Sequence, residues 1–292
     1  MIDAADLLAR CTFPAAGTSV VCGLSGGADS TAMVTLAVRA GCAVEAVHVH
    51  HGLRPDADDD AEIARATAAR LRVPFMVVHV SVTDGPNLEA RARAARRAAL
   101  GPDALTGHTA DDQAETVLLA LLRGAGATGL SAITPGWRHP IFALRRVETR
   151  ALCRAEGLAV AEDSTNSDLR FRRNRVRHEL LPLLASIAER DVVPLLTRTA
   201  DLLRRDDTLL DELAAAIEPT DADALRRAPR PLAARAIRSW LSVDGYPPDA
   251  ATVERVLDVA RGRAPGCDVG GGRRVEREGL HLRLCGPPPT WG

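Results

Sequence analysis

The first half of the chain alternates short apolar runs with amphipathic segments. The apolar runs occupy residues 18–23, 43–50, 74–80 and 103–107. Apolar positions spaced three or four apart predict helices near residues 29–40, 56–72, 87–100 and 111–123. Nearly continuous apolar strands that alternate with helices are typical of a parallel sheet with helices on both faces. We therefore predict an α/β fold with a parallel twisted sheet, in which ligands bind beyond the carboxyl ends of the strands.

The second half of the chain has a different pattern. A segment rich in polar residues ends near Leu169. Helical spacing returns from Val176 onward, and further helical patterns cover residues 222–241 and 249–261. Two short alternating runs around glycines then predict a hairpin near the end. We expect a larger α/β domain over residues 1–204 and a smaller, mostly helical domain over residues 205–292 that ends in a short β hairpin.

Composition and charge narrow the class of protein. The 292 residues are 46% hydrophobic and 26% charged, with a net charge of −1. No stretch reaches the roughly 18 apolar residues of a membrane span, and the first residues lack the pattern of a signal peptide. Hence we expect a cytoplasmic protein that binds no membrane. The six cysteines are scattered without metal-ligand spacing, which argues against a structural zinc or an iron–sulfur cluster.

The first predicted strand runs into a glycine-containing loop. This loop consists of Ser25, Gly26, Gly27, Ala28, Asp29 and Ser30. A tight structural turn is one interpretation, but adjacent glycines also let consecutive N–H groups point at one anion, and the following helix adds its positive end. A carboxylate at Asp29 repels phosphate unless Mg²⁺ lies between them. A magnesium–triphosphate site therefore explains both the glycines and the acid.

Carboxylates gather after the fourth apolar run. Asp111, Asp112 and Glu115 fall at the start of a predicted helix, and His108 precedes them. Spacing of three or four residues brings Glu115 and one of the aspartates to the same edge of the helix. Capping of the helix explains one of these acids, but it leaves unexplained why a histidine and the other carboxylates also gather where a ligand is expected.

Two groups of arginines point to anionic partners. Arg93 and Arg96 lie three residues apart on one face of a predicted helix. Five arginines fall within residues 170–177, among them Arg172, Arg173, Arg175 and Arg177. Solvated surface faces are the alternative in both places. Arginines interleaved with Asn and Phe nevertheless suit contacts with the phosphates of RNA.

Taken together, these motifs resemble those of one enzyme family. The loop reads SGGxDS, residues 48–54 read HVHHGLR, and residues 107–116 read GHTADDQAET. Residues 163–182 match D-x-S-N…R-N-x-x-R-x-x-L-L-P at Asp163, Asn166, Arg173, Asn174, Arg177 and Pro182. The chain is thus similar to the tRNA(Ile)-lysidine synthetase family of the PP-loop, or N-type ATP pyrophosphatase, superfamily. It departs from the family at Arg97, where an aromatic residue is usual, at Thr165, which is inserted, and at His139.

The resemblance implies a fold like that of the adenine nucleotide alpha hydrolases and a reaction that uses ATP and Mg²⁺. In the implied reaction, O2 of cytidine 34 in the CAU anticodon of tRNA(Ile) is adenylated with release of pyrophosphate. Free L-lysine then displaces AMP at C2. The oligomeric state is open, with a homodimer among the options. Another PP-loop enzyme, such as a tRNA thiolase-like enzyme or an ATP-dependent amide synthetase for a small molecule, is the alternative.

The resemblance also suggests roles for single residues. It assigns the whole loop of residues 25–30 to ATP, with Asp29 holding magnesium. The expected catalytic residues are Asp29, Asp112, Arg93 and His108. Lysine-binding candidates are Asp111, Asp112 and Glu115, and candidates for binding tRNA are Arg96, Arg172, Arg173, Arg175 and Arg177.

Overall fold

The computed structural model describes residues 3–50, 52, 57–81, 88–161, 168–243 and 247–286. The chain divides into two compact units, residues 1–201 and residues 202–292. Among the described helices, none is long and apolar enough to cross a membrane.

The first unit contains a parallel sheet of three strands in the order β1-β2-β3. The strands are β1 (Ser19–Gly23), β2 (Ala43–His50) and β3 (Phe75–His79). Ser19 pairs with Ala43, and Ala46 pairs with Phe75. Helices alternate with the strands, as the apolar pattern predicts: α1 (Ala4–Leu8), α2 (Ala28–Arg39), α3 (Ala57–Leu71), α4 (Leu88–Leu100), α5 (Ala110–Leu121) and α6 (Ala127–Leu130). The predicted α/β class with a parallel sheet is confirmed.

The fourth apolar run, residues 103–107, forms only a single β-bridge and not the full strand that its sequence predicts. Leu105 forms a single parallel bridge to Cys22 of β1, through backbone hydrogen bonds with Val21 and Gly23. One residue later, the Thr106 N–H donates to the carbonyl of Arg138 at 2.8 Å. Since this bond directs the chain away from β1, the ladder ends there. The run nevertheless places residues 106–109 next to the end of β1.

The remainder of the first unit is helical. It comprises α7 (Arg146–Ala155), α8 (Arg172–Arg175), a π-helical turn (Val176–Leu180), α9 (Leu181–Ala188) and the first part of α10 (Val193–Ala215). The apolar residues just before α7 form hydrogen-bonded turns, with Ile141 and Leu144 fully buried. They join a core that also contains Cys22, Leu24, Met33 and Leu36. The start of α7 is thereby packed against the sheet region.

The second unit has its own core. Besides the remainder of α10, its helices are α11 (Ala222–Arg227), α12 (Arg230–Leu241) and α13 (Ala250–Ala260), and Pro229 separates α11 from α12. Three antiparallel strands follow: β4 (Gly266–Gly270), β5 (Arg273–Glu278) and β6 (His281–Cys285). The predicted hairpin is therefore extended by one further strand. Ile237, Val256 and Val275 are fully buried between these helices and strands.

Candidate active site

The loop after β1 is built around Gly26. Its φ of +87° is a left-handed conformation that favours glycine, and a Cβ there would lie 2.9 Å from the carbonyl oxygen of Asp60. Gly27 caps α2 without a side-chain hydrogen bond. The N–H groups at the start of this helix therefore face a position that favours an anion.

The two serines of the loop have different surroundings. The buried Ser30 hydroxyl donates to the carbonyl of Gly27 at 2.9 Å, and its Oγ accepts from the Ser25 N–H at 3.1 Å. Ser30 thus holds the loop closed. Ser25 is exposed, with its Oγ 3.1 Å from the Ser30 Oγ, so it is the serine that presents its hydroxyl toward solvent.

Asp29, the second residue of α2, accepts donors on both of its oxygens. The Thr149 hydroxyl donates to Oδ1, and the Arg146 Nε donates to Oδ2 at 3.2 Å. Burial raises the pKa of the Asp29 carboxyl above its ordinary value, and Arg146 and Thr149 oppose that effect. Asp29 is therefore already engaged with partners on α7.

At the start of α5, Asp112 serves two purposes. Its Oδ2 accepts from the N–H and the hydroxyl of Thr109, at 2.9 and 3.0 Å, which caps the helix. Its Oδ1 accepts from Arg146 at 3.0 Å and Arg173 at 2.8 Å. Burial alone would raise the pKa of Asp112, but the two guanidinium groups hold it at about 2. Asp112 is thus ionised. Of the three acids at the start of α5, it is the one that caps the helix.

Glu115, one turn further along α5, is completely buried and accepts from three arginines. Arg146 donates to Oε1 at 2.8 Å and Arg173 to Oε2 at 2.7 Å, while Arg177 donates to both oxygens at 2.7 and 3.2 Å. Although burial raises its pKa, hydrogen bonds from Arg177 and the charges of Arg146 and Arg173 lower it overall. A buried carboxylate remains ionised only with such partners.

Asp111 has different partners from its neighbour. Its carboxylate accepts two bonds from the Arg145 guanidinium, at 3.0 and 3.1 Å, and one from the Arg146 N–H at 2.8 Å. Arg145 also pairs with Asp191. Although burial raises the pKa of Asp111, these donors lower it overall. Asp111 therefore fastens the start of α7 to the start of α5.

Arg145 and Arg146 were not among the sequence candidates. A signal was present, because two arginines at the start of α7 face the positive end of the helix dipole, which disfavours cations. Such residues need acidic partners, and here Asp29, Asp111, Asp112 and Glu115 provide them.

The arginine-rich segment divides into two groups. Arg173 and Arg177 turn inward to Glu115, although the sequence suggested contacts with RNA. Arg177 does so from the π-helical turn, a feature that is frequent at functional sites. Arg172 is exposed, and the exposed Arg175 pairs with Glu179. Asp163 and Asn166, which the resemblance also includes, lie outside the described residues.

His108 lies beside the acids in a small polar group. Its Nδ1 is 2.9 Å from the Thr106 Oγ1, which is 2.8 Å from the Nδ1 of His139. Burial lowers the pKa of His108 to about 4, against the opposing effect of Asp112, and burial also lowers the pKa of His139. His108 is therefore neutral near pH 7. Arg93, exposed on α4, is close enough for its charge to lower this pKa further.

Arg96, the remaining candidate, is also exposed on α4, and its positive charge acts on His48. Burial is the main cause that lowers the pKa of His48, whose Nδ1 lies 3.0 Å from the carbonyl oxygen of Leu24. Arg96 thus lies on the side of the loop where β1 and β2 end.

A cavity of about 210 Å³ opens beside the acids. Asp111, Glu115, Arg145, Arg146, Arg177 and Pro182 are among the residues that line it. It is smaller than the roughly 300 Å³ at which pockets for drug-sized ligands begin. Its size and charge suit a small polar molecule.

A magnesium site formed by protein alone does not fit these residues. In the described part of the chain, no group of three His, Cys, Asp or Glu side chains could hold a metal ion. Asp29 by itself fits an ion that arrives with phosphates, since Mg²⁺ is usually held by one or two carboxylates together with phosphate oxygens and water. The residues therefore fit magnesium only as part of a nucleotide complex.

The fold and the loop define the class of protein. Residues 4–184 match the family model of the PP-loop domain, and residues 221–282 match that of the TilS substrate binding domain. A solved U34-tRNA thiolase, NcsA from Methanococcus maripaludis, shares the fold, with a TM-score of 0.54 and 18% identity over 69% of this chain and 78% of the thiolase.

Proteins with similar sequences define the family more narrowly than the fold does. A tRNA(Ile)-lysidine synthase from Nocardia farcinica is 42% identical over 89% of this chain and 87% of its own length. One from Mycolicibacterium paratuberculosis is 44% identical over 76% of this chain and 74% of its own length. The chain belongs to the tRNA(Ile)-lysidine synthase family.

Proposed function

We propose that this protein ligates free L-lysine to C2 of cytidine 34 in the CAU anticodon of tRNA(Ile). It acts as a tRNA(Ile)-lysidine synthase, an ATP-dependent ligase, and we place its work in the cytoplasm, where its tRNA is found. One observation carries the proposal: in a chain of this family, the ATP loop and a buried acidic cluster suited to an ammonium group are joined through α7.

The ATP end of the site accounts for the first step. O2 of the cytidine attacks the α-phosphate, a new O–P bond forms, and pyrophosphate leaves. The backbone of Gly26 and Gly27, the start of α2 and the exposed Ser25 hydroxyl bind the phosphates. Asp29 would hold magnesium carried by the nucleotide, and the ion would supply charge neutralisation at the leaving pyrophosphate. Arg93 neutralises charge on the α-phosphate.

The acidic end of the site accounts for the second substrate. The contacts of the described cluster include five carboxylates and four guanidinium groups. The ε-ammonium of lysine adds a further positive charge beside these carboxylates. Asp112 and Glu115 bind the ammonium. Asp111 supports them indirectly, because it holds α7 in place.

The amine must lose a proton before it attacks C2 and displaces AMP. His108 has a pKa of about 4 and is therefore a weak base at neutral pH. Its neutral ring accepts a hydrogen bond from the ammonium group of the substrate and relays one proton to water, while Asp112 holds the nitrogen in position.

The RNA must be held by other groups. Of the arginine candidates, Arg172, Arg175 and Arg96 are exposed, which suits contacts with phosphates. Arg173 and Arg177 support the lysine site instead, through Glu115. The second unit, which carries the substrate-binding domain, provides further contact with tRNA. A homodimer remains one option for the assembly.

Incorporation of label tests this function. Purified protein is incubated with ATP, Mg²⁺, radiolabelled lysine and a transcript of tRNA(Ile) with a CAU anticodon. We expect label in this RNA and release of pyrophosphate that requires RNA. Label that enters elongator methionine tRNA equally well, or pyrophosphate released equally without RNA, would contradict the proposal, and the second result would favour a small-molecule synthetase.

A further inference from the structure

One side chain joins the ATP loop to the acids of α5. Arg146 donates from Nε to Asp29 at 3.2 Å, from Nη2 to Asp112 at 3.0 Å and from Nη1 to Glu115 at 2.8 Å. Its guanidinium is largely buried, so these charges act on one another through little water. A change in charge at one of the three carboxylates therefore alters the strength of the hydrogen bonds and ion pairs that Arg146 makes with the other two.

The neighbouring arginines do not make this connection in the contacts of the described residues. Arg173 bonds to Asp112 and Glu115, which both lie on α5. Arg145 bonds to Asp111 and Asp191. Arg146 reaches Asp29, and Thr149, one turn further along α7, donates to the other oxygen of the same carboxylate. Helix α7 is thus the physical link between the two motifs.

The direction of the effect follows from charge. A triphosphate bound at the start of α2 adds negative charge next to Asp29 and attracts the Arg146 guanidinium. As Arg146 moves toward the phosphates, its bonds to Asp112 and Glu115 weaken. The charges of those two carboxylates are then less neutralised by Arg146, so they attract an ammonium group more strongly.

We infer that Arg146 is a positioning residue that couples ATP binding to lysine binding, so that each substrate tightens the binding of the other. The inference rests on the proposed function, because it takes ATP and lysine as ligands of these two ends. Coupling of this kind is reciprocal and commonly changes affinity by about 5- to 150-fold.

Equilibrium dialysis measures the coupling directly. Radiolabelled lysine is dialysed against the full chain with Mg²⁺ and the tRNA(Ile) transcript, with and without α,β-methylene ATP, which cannot release pyrophosphate. We expect the analogue to tighten lysine binding at least about fivefold in the wild type. In Arg146→Gln we expect the factor to fall close to one. A merely structural role would weaken both measurements equally and leave their ratio unchanged.

Two further variants make the comparison specific. Arg150→Gln removes an exposed arginine from the same helix and is expected to keep the full factor. Arg146→Lys keeps the charge but cannot donate to all three acids with the same fork, so we expect a reduced factor. If thermal melting shows that Arg146→Gln does not fold, the coupling factor of Arg146→Lys is compared with that of the wild type instead.

The outcomes separate the two proposals. If the wild type incorporates lysine into tRNA but the analogue leaves lysine binding unchanged, or if both Arg146 variants keep the full factor, the coupling is refuted and the function stands. If the wild type neither binds lysine nor incorporates it, the proposed function fails, and the coupling fails with it.

Discussion

The buried ion-pair cluster of the first unit differs from the surface ion pairs of the second unit in burial and in the number of partners. In the first unit, Glu115 is completely buried and accepts from three arginines, which are themselves largely buried. In the second unit, pairs such as Arg263–Asp258 and Arg283–Glu278 are exposed and join two flexible side chains at the surface. Buried charges are costly to desolvate, whereas exposed pairs contribute little. From this comparison we expect the buried cluster to serve binding and chemistry more than stability.

The largest effect is expected from Glu115→Gln. This change keeps the shape of the side chain but leaves Arg146, Arg173 and Arg177 without the charge they share. Breaking a buried ion pair typically costs about 3–5 kcal/mol in the free energy of unfolding. Incorporation of lysine should fall about 100-fold, because misplaced groups cost that much. Urea denaturation measures the loss of stability, and initial rates measure the loss of activity. Wild-type values for both would contradict the contrast between the buried cluster and the exposed pairs.

Acid should weaken the first unit through the same carboxylates. The folded pKa of Asp112 is about 2, below its ordinary 3.8, and those of Asp111 and Glu115 are also lowered. Their contribution is therefore present above the unfolded pKa values and is lost as pH falls from about 4.5 toward about 2. Asp112 alone accounts for about 2 kcal/mol. Asp29, whose pKa is raised, acts in the opposite direction.

Urea denaturation at a series of pH values tests this prediction. We expect the free energy of unfolding of the wild type to decline over this range, and the decline to be smaller in Asp112→Asn. A variant with the same slope as the wild type would show that Asp112 is not the group that titrates.

An intermediate effect is expected from Asp207→Asn in the second unit. Asp207 is buried and accepts from Arg235, which also pairs with Asp211. Loss of a hydrogen bond to a charged group should lower the free energy of unfolding by about 2 kcal/mol. The KM for lysine should stay unchanged, because this pair lies outside the acidic cluster. A raised KM for lysine would show that burial of an ion pair, and not its place in the site, decides the effect.

The smallest effect is expected from Arg263→Gln. Its guanidinium and the Asp258 carboxylate are both exposed, at 67% and 44%. Exposed pairs contribute about 0.2–1 kcal/mol or less. The melting temperature should therefore remain within experimental error of the wild type. A marked drop would contradict the contrast between surface and buried pairs.

Much of the site was predictable from sequence, because its acids follow strands at the ligand end of a parallel sheet. That rule selected Asp29, Asp112 and Glu115. It missed Arg145, Arg146 and Thr149, since they lie at the start of α7, which does not directly follow a strand, and are brought in by packing of that helix. The sequence grouped Arg173 and Arg177 with the other arginines of residues 170–177 but contained nothing about their partner. Only the fold shows that both arginines contact Glu115.

The central claim is that the buried acids bind the ammonium group of lysine. The most direct test measures ATP-dependent incorporation of labelled lysine into the tRNA(Ile) transcript over a range of lysine concentrations, for the wild type and for Asp112→Asn. We predict that the KM for lysine rises at least about tenfold in the variant, as expected for a lost charged partner, while pyrophosphate release that requires tRNA but no lysine persists. An unchanged KM for lysine in a folded Asp112→Asn protein would contradict the claim.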